Sequence, residues 1–131
     1  MRQEQPTRLI LVAHAPLASA FRELAMHAFP ECAAEVDALD VPPDASLELV
    51  RQRLYSLLQS RASLPVLLLA DVQGATPANA VTLVLPDFPA ARAVSGLNAP
   101  MLWRTLCYRE EPPERLAERA VGGGQRGISI L

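Results

Sequence analysis

The chain has 131 residues, with 12 basic and 14 acidic side chains, a formal net charge of −2 and a hydrophobic half. That length fits a single domain spanning residues 1–131, with 1–8 as a short polar tail. The mild acidity speaks against nucleic acid as a partner. The apolar runs are about half the length of a membrane span, and the one behind the polar "MRQEQPTR" is too short for a signal peptide, so a cytoplasmic protein is expected.

"LILVA" (Leu9–Ala13) has the length and continuous apolar character of a strand covered on both faces. His14, Ala15 and Pro16 follow, and Leu17, Ala20, Phe21, Leu24, Ala25 and Ala28 then recur at helical spacing. Pro16 suits a first helical position, where no amide hydrogen is needed. Glu35 to Val41 is a weaker strand candidate. A helix is expected from Asp44 or Ser46 onward, with Leu47, Val50, Leu54, Leu57 and Leu58 as its stripe. "PVLLLA" (Pro65–Ala70) is the second clear buried strand; it ends in Asp71, the loop "VQGAT", and a helix opened by Pro77. "ARAVS" (Ala91–Ser95) predicts a third such strand, followed by "GLNA" and a helix opened by Pro100. A last helix, about Glu114 to Val121, is expected to run into a flexible "GGG" and a short strand, "GISIL".

Strand and helix thus alternate, which implies an α/β three-layer sandwich with a central, mostly parallel sheet and helices on both faces. Right-handed crossovers bring all strand ends to one edge. His14, the segment from Asp71 to Thr76, and Ser95 to Asn98 should therefore meet at the carboxyl edge, where open sheets of this kind bind ligands. Each group there has a use if the ligand is a phosphoryl group. An imidazole, with an ordinary pKa of about 6.5, is a good nucleophile near neutral pH. Asp71 can fix its tautomer by accepting from one ring nitrogen, leaving the other free. The amides of Gly74, Ala75 and Thr76, with the Thr76 hydroxyl, can hold phosphoryl oxygens at a helix N-terminus, and Gly74 lets the backbone approach. His27 falls off the main apolar stripe and is expected to face solvent. Trp103, Phe21 and Met101 read as core or interface, and the charged run Arg109 to Arg119 as a solvated loop and helix face. Cys32 and Cys107 match no metal or redox spacing and are expected to be reduced and partly buried.

"LVAHAPLASAF", "VPPDASLELV", "LLLADVQGATPANAV" and "AVSGLNAPML", taken in order, resemble the mannose/fructose-type IIA proteins of the bacterial phosphoenolpyruvate-dependent phosphotransferase system. The likeness runs from about Leu9 to the C-terminus. It implies that phospho-HPr donates a phosphoryl group to His14, that Asp71 hydrogen-bonds this histidine, and that Thr76 helps hold the phosphoryl group. A IIB component would then accept it for delivery to an incoming sugar. The resemblance also implies a homodimer in which the C-terminal strand crosses to the partner. The phosphoryl-carrier reading requires no cofactor and no metal, because positioning and hydrogen-bond donors do most of the work. "GATP" and "GGGQRGISIL" look most like the free-standing IIA proteins of incomplete phosphotransferase chains. The chain departs from the family pattern at Ala15, where a glycine is usual, and at Gln73, where an aromatic residue is usual.

Two other readings weigh against transport. In one, phosphorylation of His14 switches a regulatory partner and no sugar is involved. The other is a response-regulator receiver with Asp71 as acceptor; it needs an acidic pair after the first strand and a lysine, and all 12 basic residues here are arginine. No dinucleotide or Walker-type glycine loop supports a nucleotide site.

Overall fold

A computed structural model describes residues 5–60 and 62–131; residues 1–4 of the expected polar tail lie outside the described residues. Four parallel strands, β1 (Arg8–His14), β2 (Val36–Val41), β3 (Val66–Ala70) and β4 (Ala91–Ser95), lie in the order β2-β1-β3-β4. Among the described residues five helices surround them: α1 (Leu17–Ala28), α2 (Leu47–Gln59), α3 (Thr76–Val84), α4 (Ala99–Cys107) and α5 (Pro113–Arg126). Short 3-10 turns occupy Pro30–Glu35 and Leu85–Asp87. No helix among the described residues is long and apolar enough to cross a membrane.

The continuous apolar runs of β1 and β3 serve two cores at once, because successive side chains leave a strand on opposite faces. Leu9, Leu11, Ala13, Leu67 and Leu69 pack with Ala18 and Ala25 of α1, Leu102 and Leu106 of α4, and Leu116 and Ala120 of α5. Ile10, Val12, Val66 and Leu68 pack with Val50, Leu54 and Leu58 of α2 and Val81 and Val84 of α3. Each such leucine, isoleucine or valine contributes about 1.5–3 kcal/mol by leaving water. This is the three-layer α/β arrangement expected from the alternation of elements. The order of strands reverses direction between β1 and β3, and the carboxyl ends at such a switch point are where this architecture generally binds ligands.

Several expectations are corrected. α5 does not stop at Val121; it continues through Gly122–Gly124 to Arg126. Gly123, Gly124 and Gly127 serve close packing against α4: a Cβ on Gly123 would lie 2.6 Å from Arg104 Cβ, one on Gly124 would lie 3.0 Å from Met101 Cε, and one on Gly127 would collide with the Pro100 ring. Residues 128–131 form no strand within the chain, and Ile128, Ile130 and Leu131 are exposed. Arg109, expected on a solvated surface, is buried because its guanidinium is satisfied there: Nε donates to Thr7 O at 3.0 Å and Nη2 pairs with Glu35. Pro16 stands at the N-cap, one residue ahead of the helix it was expected to open. Cys107 is exposed, and Cys32 is half-buried. Leu17 and Leu47, both on their helices' apolar stripes, are exposed at the carboxyl edge.

Candidate active site

Strand register brings the first two functional side chains together. The β1–β3 ladder ends on the pair Val12 and Ala70, so Asp71 comes level with Ala13, and His14 is one residue further along. The His14 main-chain N–H donates to Asp71 Oδ2 at 2.9 Å, and His14 Nδ1 lies 2.7 Å from the same oxygen. An ionised carboxylate only accepts, so Nδ1 carries the hydrogen, and in the neutral ring the lone pair is on Nε2. The second carboxylate oxygen, Oδ1, accepts from Val72 N at 2.9 Å. The Asp71 side chain is 5% exposed, whereas the His14 side chain is 46% exposed. The pair is thus an anchored acceptor below and an accessible ring above.

Burial alone would push the Asp71 carboxyl up. The hydrogen bonds from the His14 amide, the His14 ring and the Val72 amide outweigh burial and hold it below the ordinary value of 3.8. Asp71 is therefore a carboxylate at neutral pH.

The expected phosphoryl-binding residues Gly74, Ala75 and Thr76 form the turn from β3 into α3. Gly74 has φ +87°, a left-handed conformation that glycine adopts without strain. Ala75 is the N-cap of α3, Thr76 its first residue, and Pro77 its second. Thr76 is half-buried and Gln73 is exposed. Four helices begin at this edge, and three have a side chain accepting from their first-turn amides. Ser46 Oγ accepts from Leu49 N on α2 at 3.1 Å, and Asn98 Oδ1 from Met101 N on α4 at 2.9 Å. On α1 the acceptor comes from another strand: Asp40 Oδ1 takes Ser19 N at 3.0 Å, and Oδ2 takes the Ser19 hydroxyl. α3 has no side-chain cap. The Ala75 amide turns back to Val72 O at 3.5 Å, and Pro77 has no amide hydrogen to cap.

Residues 8–117 match the family model described as EIIA-man, PTS system fructose IIA component. The chain belongs to this family. Among the relatives of this IIA component is the PTS system mannose-specific EIIAB component of Escherichia coli (strain K12), 30% identical over 93 residues that cover 70% of this chain and 29% of that protein. The chain therefore matches under a third of that relative's length. The fold is that of the mannose/sorbose specific IIA subunit of the phosphotransferase system from Enterococcus faecalis, with TM-score 0.90, 24% identity, and 97% of this chain and 96% of that one covered. The phosphotransferase system component EIIA from Streptococcus agalactiae shares it at TM-score 0.83 and 21% identity, over 95% and 96% of the two chains. IIA proteins are phosphotransferases as a class, and this chain is a IIA component of the mannose family.

The contribution of Asp40 to the α1 N-terminus was not anticipated. It joins residues on different elements, and no local pattern marks it. His27 is exposed on α1, as expected; Met101 is buried, and Trp103 is partly exposed with its ring edge-on to Phe29 at 5.9 Å.

Proposed function

We propose that this IIA component carries a phosphoryl group on His14, accepting it from phospho-HPr and passing it to a IIB component for sugar uptake. The observation that carries the reading is the 2.7 Å contact of His14 Nδ1 with the buried Asp71 carboxylate, on a ring nearly half exposed. With Nδ1 committed to Asp71, the reacting atom is Nε2. Its lone pair attacks the donor's phosphorus, the new nitrogen–phosphorus bond forms as the donor's breaks, and the breaking bond's electron pair stays with the donor. Asp71 keeps the Nδ1 proton in place and offsets the positive charge that grows on the ring. The uncapped first turn of α3, with Gly74, Ala75 and Thr76, supplies donors for the phosphoryl oxygens. Leu17 and Val72 stand exposed directly after the two reacting segments, which suits contact with a protein that brings or removes the group.

Incubation with enzyme I, HPr and radiolabelled phosphoenolpyruvate should label the protein with an acid-labile, base-stable phosphate. His14→Ala should abolish the label, and label that survives the substitution rules the reading out. The same reading takes the protein as a homodimer in which residues 128–131 cross to the partner. Sedimentation at micromolar concentration should then give twice the chain mass; a monomer removes this part of the reading.

A further inference from the structure

The chain leaves β4 through Ser95, Gly96, Leu97 and Asn98, and the last two are tied to the layer behind the sheet. Leu97 is buried among residues of α1, α4 and α5, and its N–H donates to Ala70 O at 3.0 Å. Asn98 caps α4 through Met101 N, and its Nδ2 donates to Gly124 O on α5 at 3.2 Å. Between this anchor and the sheet sits Gly96, with φ +92°. Its N–H donates to the main-chain oxygen of Asp71 at 3.1 Å.

A Cβ built on Gly96 would meet nothing within 4 Å. Room is therefore not the reason for glycine here. The backbone conformation is, because L side chains rarely adopt a φ this positive. That conformation aims the Gly96 amide at Asp71 while the chain turns to place Leu97 in the core. Asp71 is consequently held at both ends: its carbonyl by Gly96, and its carboxylate by the amides of His14 and Val72. The same carboxylate oxygen that takes the His14 amide also sets the imidazole tautomer.

We infer that Gly96 is a positioning residue for His14, acting through Asp71. Its left-handed backbone fixes the Asp71 carbonyl, and the carboxylate so placed keeps the ring as the Nδ1–H tautomer with Nε2 facing outward. The kinetic consequence rests on the phosphoryl-carrier reading; the effect on the tautomer does not.

The test compares Gly96→Val, Gly96→Ala and Gly96→Asn with wild type in the full chain. Asparagine tolerates the left-handed region far better than a β-branched residue. The first measurement is the pair of His14 ring nitrogen shifts by 15N NMR in the unphosphorylated protein. Wild type and Gly96→Asn should show the Nδ1–H form, whereas Gly96→Val should move toward a mixture of tautomers, with Gly96→Ala between. The second is transfer from phospho-HPr, where Gly96→Val should lower the rate at saturating donor on the order of tenfold through misplacement of the nucleophile. Gly96 is itself exposed at the carboxyl edge, so Gly96→Asn, which adds a side chain at the same place, is the control for docking: its KM for the donor should match that of Gly96→Val while its rate at saturating donor stays near wild type. A Gly96→Val protein that does not fold leaves Gly96→Ala to carry the comparison. Wild-type tautomer and rate in both Gly96→Val and Gly96→Ala overturn the inference, as does a Gly96→Asn variant as impaired as Gly96→Val. A tautomer that shifts in a protein whose wild type takes no label supports the Gly96–Asp71–His14 linkage and overturns the carrier reading instead.

Discussion

At the scale of single residues, the site depends on one carboxylate doing two things. Asp71 accepts the main-chain and ring hydrogens of the same histidine on one oxygen. This fixes both where the ring hangs and which nitrogen is free. Asn at this position keeps the shape but loses the charge, and can present a donor where His14 Nδ1–H needs an acceptor. Asp71→Asn should therefore cut the rate of phosphoryl acceptance on the order of a hundredfold or more, as expected when an imidazole loses its tautomer-fixing partner. Initial rates of label transfer from phospho-HPr measure this. His14 and Asp71 were legible in the sequence because each interrupts an apolar run at the point where a strand must end. Arg109 was not: its charge argued for solvent, and only the meeting with Thr7 O and Glu35 makes its burial affordable.

At the scale of elements, the C-terminal helix shows how a local rule yields to packing. Three consecutive glycines carry a helix penalty of roughly 1 kcal/mol each, which is why Gly122–Gly124 read as a helix end. In the fold, Gly123 and Gly124 lie where α5 presses on Arg104 and Met101 of α4, and the close approach recovers the cost. Gly122 differs: a Cβ there meets only the guanidinium end of Arg126, at 2.9 Å, which can swing away. Gly122→Ala should raise stability by about 0.5–1 kcal/mol through helix propensity. Gly123→Ala should lower it by about 1–3 kcal/mol through overpacking against the Arg104 stem. Urea denaturation of the two variants beside wild type gives the sign of each change. The helices at the carboxyl edge obeyed their start signals more closely. Ser46 caps α2 as the sequence suggested, and prolines sit in the first two positions of α3 and α4.

At the scale of the whole molecule, the buried carboxylate links folding to pH. The native Asp71 carboxyl is held below its ordinary value, so between the two values the unfolded chain binds more protons than the folded one. Its contribution to stability is thus complete above the ordinary carboxylate range and is lost as pH falls through the native value. Thermal unfolding followed from about pH 5 to about pH 3 should show wild type losing stability more steeply than Asp71→Asn, because the variant has no proton to take up at that position. Equal slopes would mean that the His14 and Val72 hydrogen bonds do not hold the carboxylate as described. The two cores, one on each face of the sheet, keep this group in place: β1 and β3 are each packed from both sides, so their carboxyl ends have little freedom to part.

The sequence by itself determined the order of the four sheet strands and the five helices, the α/β class, and the two side chains that end the central strands, though not the fate of the last residues, which form no strand within the chain. These follow from local chemistry: apolar runs of strand length, helical periodicity, and prolines at helix starts. Tertiary structure alone decided three things that local pattern does not encode. It set the register that puts Asp71 under His14, it supplied Asp40 from β2 to the first turn of α1, and it brought α4 close enough to turn a glycine run into a helix. Each is a contact between residues far apart in the chain, and its free energy exists only once the sheet has put them side by side.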